Sequence, residues 1–257
     1  MAQASRLGLL AARILRTGGT PVPPGVEMTI TLEPIEDFRQ IRIDRTSAPS
    51  LDPEAQRLID DAWAKLCAEN PRYFNSPMLS FESSSSHNAD IVASVRPYML
   101  HAVRDTIDVG ISLLAVTAVV VLDDRVLIGK RSTHSHRYGG LWELGPSGGI
   151  DGPDHADAID REGLLAEALR EVEEEAGFFP EVIRHHAVAL IHDHLVGSAD
   201  IAVVMEIKAP QALRVNWEYD ETRWVTLDEL VAWCDQKSTE IIPTTIALAR
   251  FLHEACA

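Results

Sequence analysis

Residues 162–178 read EGLLAEALREVEEEAGF, and two stripes run through them. Leu165, Ala168, Leu169, Val172 and Ala176 fall at i, i+3, i+4, i+7 and i+11, one apolar face of a helix that ends at Gly177. Glu167, Glu171, Glu174 and Glu175 fall at i, i+4, i+7 and i+8, a second face made only of carboxylates. Like charges four residues apart repel by about 0.2–0.5 kcal/mol per pair. Three of the four also lie in the last turns, where the helix dipole disfavours anions. Arg170 is the one cation close by in the sequence. A divalent cation would answer these small penalties together, and Mg²⁺ is typically held by a few carboxylates plus water and phosphate oxygens. A solvated acidic face is the plainer alternative.

The surroundings favour the cation. Upstream, residues 139–149 read GGLWELGPSGG. Glu162, then Arg170-Glu171-Val172-Glu173-Glu174-Glu175-Ala176-Gly177-Phe178, resembles the Nudix box, and the upstream stretch resembles the strand and Gly-Gly turn that precede it in that family. The resemblance covers about residues 111–233. It implies an α/β/α sandwich with a mixed sheet, and a pyrophosphohydrolase that uses Mg²⁺, with Mn²⁺ as a substitute. It also implies roles. Glu171, Glu174, Glu175 and the Gly148 carbonyl would be metal ligands; Glu162 and Arg170 would fix the helix and its carboxylates. Glu173 points roughly 100° off the carboxylate stripe and is left out of the ligand set. Arg131, at the end of a strand, would meet substrate phosphate, a surface arginine being the alternative. Glu218 and Glu221, ahead of WVTLDEL at 224–230, would be acidic site residues, as substrate contacts or general base. The sequence departs from the family pattern in the segment before the helix, where Ala156 also stands in place of the glycine the strict pattern asks for. Gly149 and Arg170 are 21 positions apart, longer than the pattern allows, with the insert inside 150–161. Gly152-Pro153 in that segment is turn chemistry, so a longer loop is expected.

Composition bounds the rest. The chain has 257 residues, enough for one large domain or one domain plus an extension. Its net charge of −16 argues against a nucleic-acid partner, which needs a basic surface. It leaves room for one small anionic nucleotide held by a metal and local arginines. Cys67, Cys234 and Cys256 show no metal spacing, and free thiols in a cytoplasmic protein are expected. The longest apolar run, 111–122, is too short to span a bilayer and is rich in β-branched residues, so it predicts a buried strand and no membrane partner.

The expected organisation is a disordered tail over 1–27, a small α+β extension over 28–110 and a catalytic domain over 111–257. Arg6, Arg13 and Arg16 among leucines and alanines leave a targeting segment as an alternative for the tail. In the extension, 29–43 holds one or two strands, and Asp52-Pro53 opens a helix with Asp as N-cap. Strands follow near 78–81 and 91–95. The stretch from Ala62-Trp63 through Tyr73-Phe74-Asn75-Ser76-Pro77 resembles the N-terminal part of the UDP-glucose diphosphatase branch. A lid or a homodimerisation element is the alternative for this extension.

Later elements are strands at 111–122, 125–130, 188–191 and 199–207, a helix capped by Asp228, and a last helix over 242–254. Trp142 is expected behind the turn. His134 and His136 read as polar loop residues, and the His192-Asp193-His194 run as polar turn residues, with a place lining the site as the alternative for that run. The expected reaction is hydrolysis of a nucleoside diphosphate linked to another group, with UDP-glucose first and ADP-ribose, NADH or dinucleotides next. A non-catalytic nucleotide sensor is a rival from another class. An isopentenyl diphosphate isomerase would need a cysteine near the metal, and none is placed for it.

Overall fold

The computed structural model describes residues 29–46, 51–208 and 217–256. The tail expected over 1–27, and Asn216, lie outside them. The strands are β1 (Ile30–Pro34), β2 (Gln40–Asp44), β3 (Pro77–Ser84), β4 (Asp90–Pro97), β5 (Ser112–Leu122), β6 (Arg125–Arg131), β7 (Trp142–Leu144), β8 (Ser147–Gly149), β9 (Ala158–Asp160), β10 (Val182–Asp193), β11 (Ser198–Ile207) and β12 (Tyr219–Thr226). The helices are α1 (Pro53–Glu69), α2 (Met99–Ala102), α3 (Arg161–Glu171), α4 (Leu227–Gln236) and α5 (Pro243–Cys256).

One mixed sheet holds all twelve strands, and its main path runs β1-β10-β11-β5-β3-β4-β2-β9. The strands of 28–110 therefore share a sheet with the rest. β5 is the axis. One of its edges pairs in parallel with β11 along its length. The other is shared in turn by β3 at Leu113, β8 at Ala115–Thr117 and β6 at Val121–Leu122. β8 thus wedges the Gly-Gly turn into the middle of the sheet.

Both faces of β5 are covered, which explains a continuous apolar run with no alternation. Val116, Ala118 and Val120 pack with Leu164, Ala168, Val172 and Ala176 of the acidic helix. Val119 and Val121 pack with Leu230, Leu248 and Leu252 of α4 and α5 on the opposite face. Helix, sheet and helix form the expected α/β sandwich. The buried face of the acidic helix is centred one position from the expected stripe, on Leu164 rather than Leu165.

Four local expectations change. The helix does end at Gly177, at φ 71°, but residues Val172–Ala176 form a π turn. The insert is not all loop: β9 pairs with β2 (Gln40 with Asp160, Ile41 with Ile159), and Asp160 caps α3 by accepting from the Gly163 N–H at 2.9 Å. A three-residue strand is too short to show a period, and its partner lies far away in the chain. Asp228 does not cap α4. Thr226 does, in a reciprocal capping box with Glu229, and Asp228 pairs instead with His253 at 3.0 Å. Asp193 is no turn residue but the buried end of β10, 1% exposed.

Candidate active site

Arg170 organises the carboxylate stripe. Its guanidinium bonds Glu167 at 3.1 Å, Glu171 at 2.7 Å and Glu174 at 2.9 Å. It also donates to the Gly149 carbonyl at 3.1 Å, tying α3 to the Gly-Gly turn. Gly148 lies hard against the Glu171 carboxylate, so a Cβ there would overlap it. The glycine is needed for this approach and not for an unusual backbone angle.

The stripe divides by burial. Glu171 and Glu175 are buried, whereas Glu174 is exposed. Burial pushes the Glu171 carboxyl up to about 8; Arg170 opposes the shift, and Glu174, Glu218 and Glu167 add to it. Glu175 is also held well above the usual range by burial, then by Glu143 and a hydrogen bond with Glu218. Its Oε2 accepts from the Ser147 N–H at 3.0 Å. Glu162 stands apart from this group. It is 80% exposed in the first turn of α3, 4.0 Å from His185 Nε2. There it favours the helix dipole but touches none of the other carboxylates named above.

Arg131 faces inward and not to solvent. It pairs with buried Glu143 at 2.8 Å and donates from Nε to the Arg137 carbonyl at 3.2 Å. Burial would lower its pKa, but Glu143 and Glu175 more than compensate and raise it. The sequence reading gave Glu143 no role. Its only signal was a carboxylate between Trp142 and Leu144 in a buried strand. Ser147 joins the two groups, since its hydroxyl donates to Glu143 at 3.1 Å while its N–H serves Glu175.

Of the two acids expected here, Glu218, just ahead of β12, reaches this group through its bond to Glu175. Glu221 does not. It is exposed and pairs with Arg223 at 2.6 Å, beyond a register shift between Tyr219 and Glu221. Tyr219 fills the space left by Gly129 and donates to the Gly145 carbonyl at 3.1 Å. Trp142 packs on Trp233 with ring centroids 5.2 Å apart, as a support behind the turn. His136 meets Tyr73 edge-on, His192 meets Phe81, and His194 bonds Thr31. Cys234 is buried in the core under α4, where burial pushes its thiol up to about 11.

A pocket of about 260 Å³ opens beside Gly148, on the sheet face opposite α3. Arg131, Glu143 and Ser147 line it near the carboxylates, and Asp193, Ser198 and Asp200 line it further in.

The donor set fits a hard divalent cation: oxygens only, two of them on buried carboxylates that burial and mutual repulsion keep above their ordinary pKa, beside a glycine that lets backbone approach. As the side chains stand, no group of three or more His, Cys, Asp or Glu is arranged to hold an ion among the described residues. Among those residues no helix is long and apolar enough to cross a membrane.

Residues 112–244, just over half of the chain, match the family model described as the NUDIX domain. No curated protein matches the chain. Similar solved structures include the MutT protein from Methanosarcina mazei, 19% identical over 56% of this chain and 92% of that one, at a TM-score of 0.39. The NUDIX domain of Shewanella oneidensis NrtR, complexed with ADP ribose, is 19% identical over 57% and 89%, at 0.37. The Ap4A hydrolase of C. elegans is 15% identical over 55% and 93%, at 0.37.

Proposed function

The chain belongs to the Nudix family and is a pyrophosphohydrolase, and from that premise we propose that it hydrolyses a nucleoside diphosphate linked to a sugar, with UDP-glucose giving UMP and glucose 1-phosphate as the first substrate to try. Glu171, Glu174, Glu175 and the Gly148 carbonyl are the groups that would hold Mg²⁺. When bound, the ion neutralises charge on the transferred group and eases deprotonation of the attacking water.

The chain's own residues do the rest. Arg170 aims Glu171 and Glu174 and fixes them against the Gly-Gly turn. Glu218, hydrogen-bonded to Glu175, is the acid available to take a proton from water. Arg131 is the candidate cation for a substrate phosphate at the pocket's edge. Glu162 serves the helix from its first turn.

The observation that carries the reading is the Arg170 constellation against Gly148, where buried carboxylates meet the turn. The nucleotide-sugar choice has a second support. Met78, which directly follows the stretch that resembles the UDP-glucose diphosphatase branch, lines the pocket beside Gly148. The test is Mg²⁺-dependent turnover of UDP-glucose, ADP-ribose, NADH and diadenosine tetraphosphate, with products identified. Preference for UDP-glucose with UMP released supports the proposal. Preference for another compound keeps the hydrolase and removes the sugar nucleotide.

A further inference from the structure

The pocket beside Gly148 contains hydrogen-bonding groups that the carboxylate site does not use. Asp193 and Asp200 stand on its wall and differ in how they are satisfied. Asp193 is fully occupied. Its Oδ2 accepts from the Tyr138 hydroxyl at 2.5 Å, and its Oδ1 accepts from the N–H groups of Leu195 and Val196 at 3.0 and 3.2 Å. Asp200 is half occupied. Its Oδ2 accepts from the Ser198 hydroxyl at 2.7 Å, and Oδ1 meets no donor among the described residues.

Two further features mark this wall as built. Tyr138 reaches Asp193 from a left-handed backbone, φ 53°, which a bulky residue rarely adopts. Arg137, also on the pocket, spends Nη1 on Asp105 at 2.5 Å, while its Nη2 is buried with no hydrogen-bond partner. The pocket wall therefore keeps one buried donor, Arg137 Nη2, without a partner, beside the partly exposed Asp200 Oδ1, an acceptor no described residue satisfies. Buried polar groups are normally satisfied, and an exception points to something that completes it.

Gly148 belongs to both places: it touches Glu171 and it lines the pocket. A phosphorus held at Gly148 puts the group linked to it into the pocket. At about 260 Å³ the space is below the ~300–1,000 Å³ of sites that take a whole drug-sized ligand, so it suits one ring and not a dinucleotide. We propose that this pocket receives the hydroxyl- or N–H-bearing ring attached to the pyrophosphate, and that the Asp200 carboxyl is the residue that reads it. This rests on the pyrophosphohydrolase reading and adds a specificity residue to it. Asp193, Glu143 and Arg131 face Asp200. Burial first, then the two acids, push it up to about 7, with Ser198 and Arg131 opposing, so near neutral pH it can accept or donate.

Asp200→Ala tests this, with Ser198→Ala as a second variant that leaves the carboxyl but frees its orientation. Asp200→Ala removes one of three neighbouring acids and relieves repulsion, and Ser198→Ala removes a single hydrogen bond, so both variants are expected to fold. Turnover of UDP-glucose, ADP-ribose and diadenosine tetraphosphate is measured in Mg²⁺, and binding of the same compounds by calorimetry in Ca²⁺. The expected result for Asp200→Ala is a KM and Kd raised about 10- to 100-fold for at least one compound, with kcat within about threefold. Ser198→Ala should move the same constants in the same direction by less. A defect confined to UDP-glucose and ADP-ribose assigns the ring as a terminal sugar; one that includes diadenosine tetraphosphate assigns it as a nucleoside. Unchanged KM and Kd for every compound in either variant overturn the proposal. A wild type that binds without turnover removes the hydrolase reading alone, since Asp200 is then judged by Kd. A wild type that neither binds nor turns over removes both.

Discussion

Two acidic clusters lie on either side of the Gly148 turn, and they are stabilised in opposite ways. On the α3 side, Glu167, Glu171 and Glu174 are answered by the permanent charge of Arg170. Glu175 has a backbone N–H and another acid as hydrogen-bond partners, with Arg131 as the opposing charge. On the pocket side, Asp193 and Asp200 are answered by hydroxyls from Tyr138 and Ser198. A hydroxyl can serve an ionised or a protonated carboxyl, whereas a guanidinium favours only the ionised one. The first arrangement crowds acids whose ionisation burial and mutual repulsion oppose, a penalty that a bound cation would relieve. The second tolerates a neutral acid, which suits hydrogen bonding to an uncharged ring.

The largest expected effect tests the first half of that contrast. Glu175→Gln keeps an acceptor for the Ser147 N–H but loses a charge. Turnover should fall on the order of a thousandfold, since metal stabilisation of the transition state is worth several kcal/mol. Metal-free stability, read by urea unfolding, should not fall, because burial and Glu143 already oppose the charged form of Glu175. A variant that loses both would make Glu175 an ordinary structural partner. Arg170→Ala comes next. It leaves buried Glu171 without its cation and frees the Gly149 carbonyl. The guanidinium is 30% exposed, so the loss should be about 2–3 kcal/mol, below the full cost of breaking a buried pair. Arg170→Lys should recover little, because a single ammonium cannot serve three carboxylates and a carbonyl. Full recovery would mean that only charge matters there.

The two clusters also differed in how far the sequence revealed them. Glu167, Glu171, Glu174 and Glu175 sit within three turns, so spacing alone puts them on one face, and the Gly-Gly turn could be paired with them by order. The pocket cluster has no such period. Asp200 follows a hairpin and is drawn to the pocket wall by pairing between β11 and β5; Tyr138 comes from a loop some sixty residues earlier, a distance in chain that no local pattern bridges. His192-Asp193-His194 looked polar enough for a turn, and only the length of β10 makes Asp193 an inner residue. Glu218 and Glu221 looked equivalent, and only the fold separates them: Glu218 reaches Glu175, whereas Glu221 is exposed and pairs with Arg223. The fold was legible because β5 and α3 carry strong patterns; the pocket was not, because tertiary pairing alone assembles it.

The second half of the contrast has a pH signature. Asp200 titrates at about 7 in the folded chain against roughly 3.9 in an unfolded one. The folded state therefore holds the proton more tightly. Its contribution to stability is complete below about pH 4 and is lost as pH rises through 7. Urea unfolding of wild type and Asp200→Asn at pH 5 and pH 8 should show the wild type losing more, by a few kcal/mol at most. Equal losses would mean that Asp200 is ionised throughout and that the two clusters are less different than their partners suggest.

Ser147 decides whether they are separate at all. Its N–H serves Glu175 and its hydroxyl serves Glu143, which faces the pocket and raises the pKa of Asp200. Ser147→Ala removes only the hydroxyl. The expected cost is about 1 kcal/mol of stability, the usual net value of one hydrogen bond. Combined with Asp200→Ala, the two losses should add to within about 0.5 kcal/mol if the turn merely divides two independent sites. A larger coupling would show that Glu143 transmits between them through Ser147. The ring in the pocket would then influence the carboxylates that hold the ion, and binding at one side of Gly148 would depend on occupancy of the other.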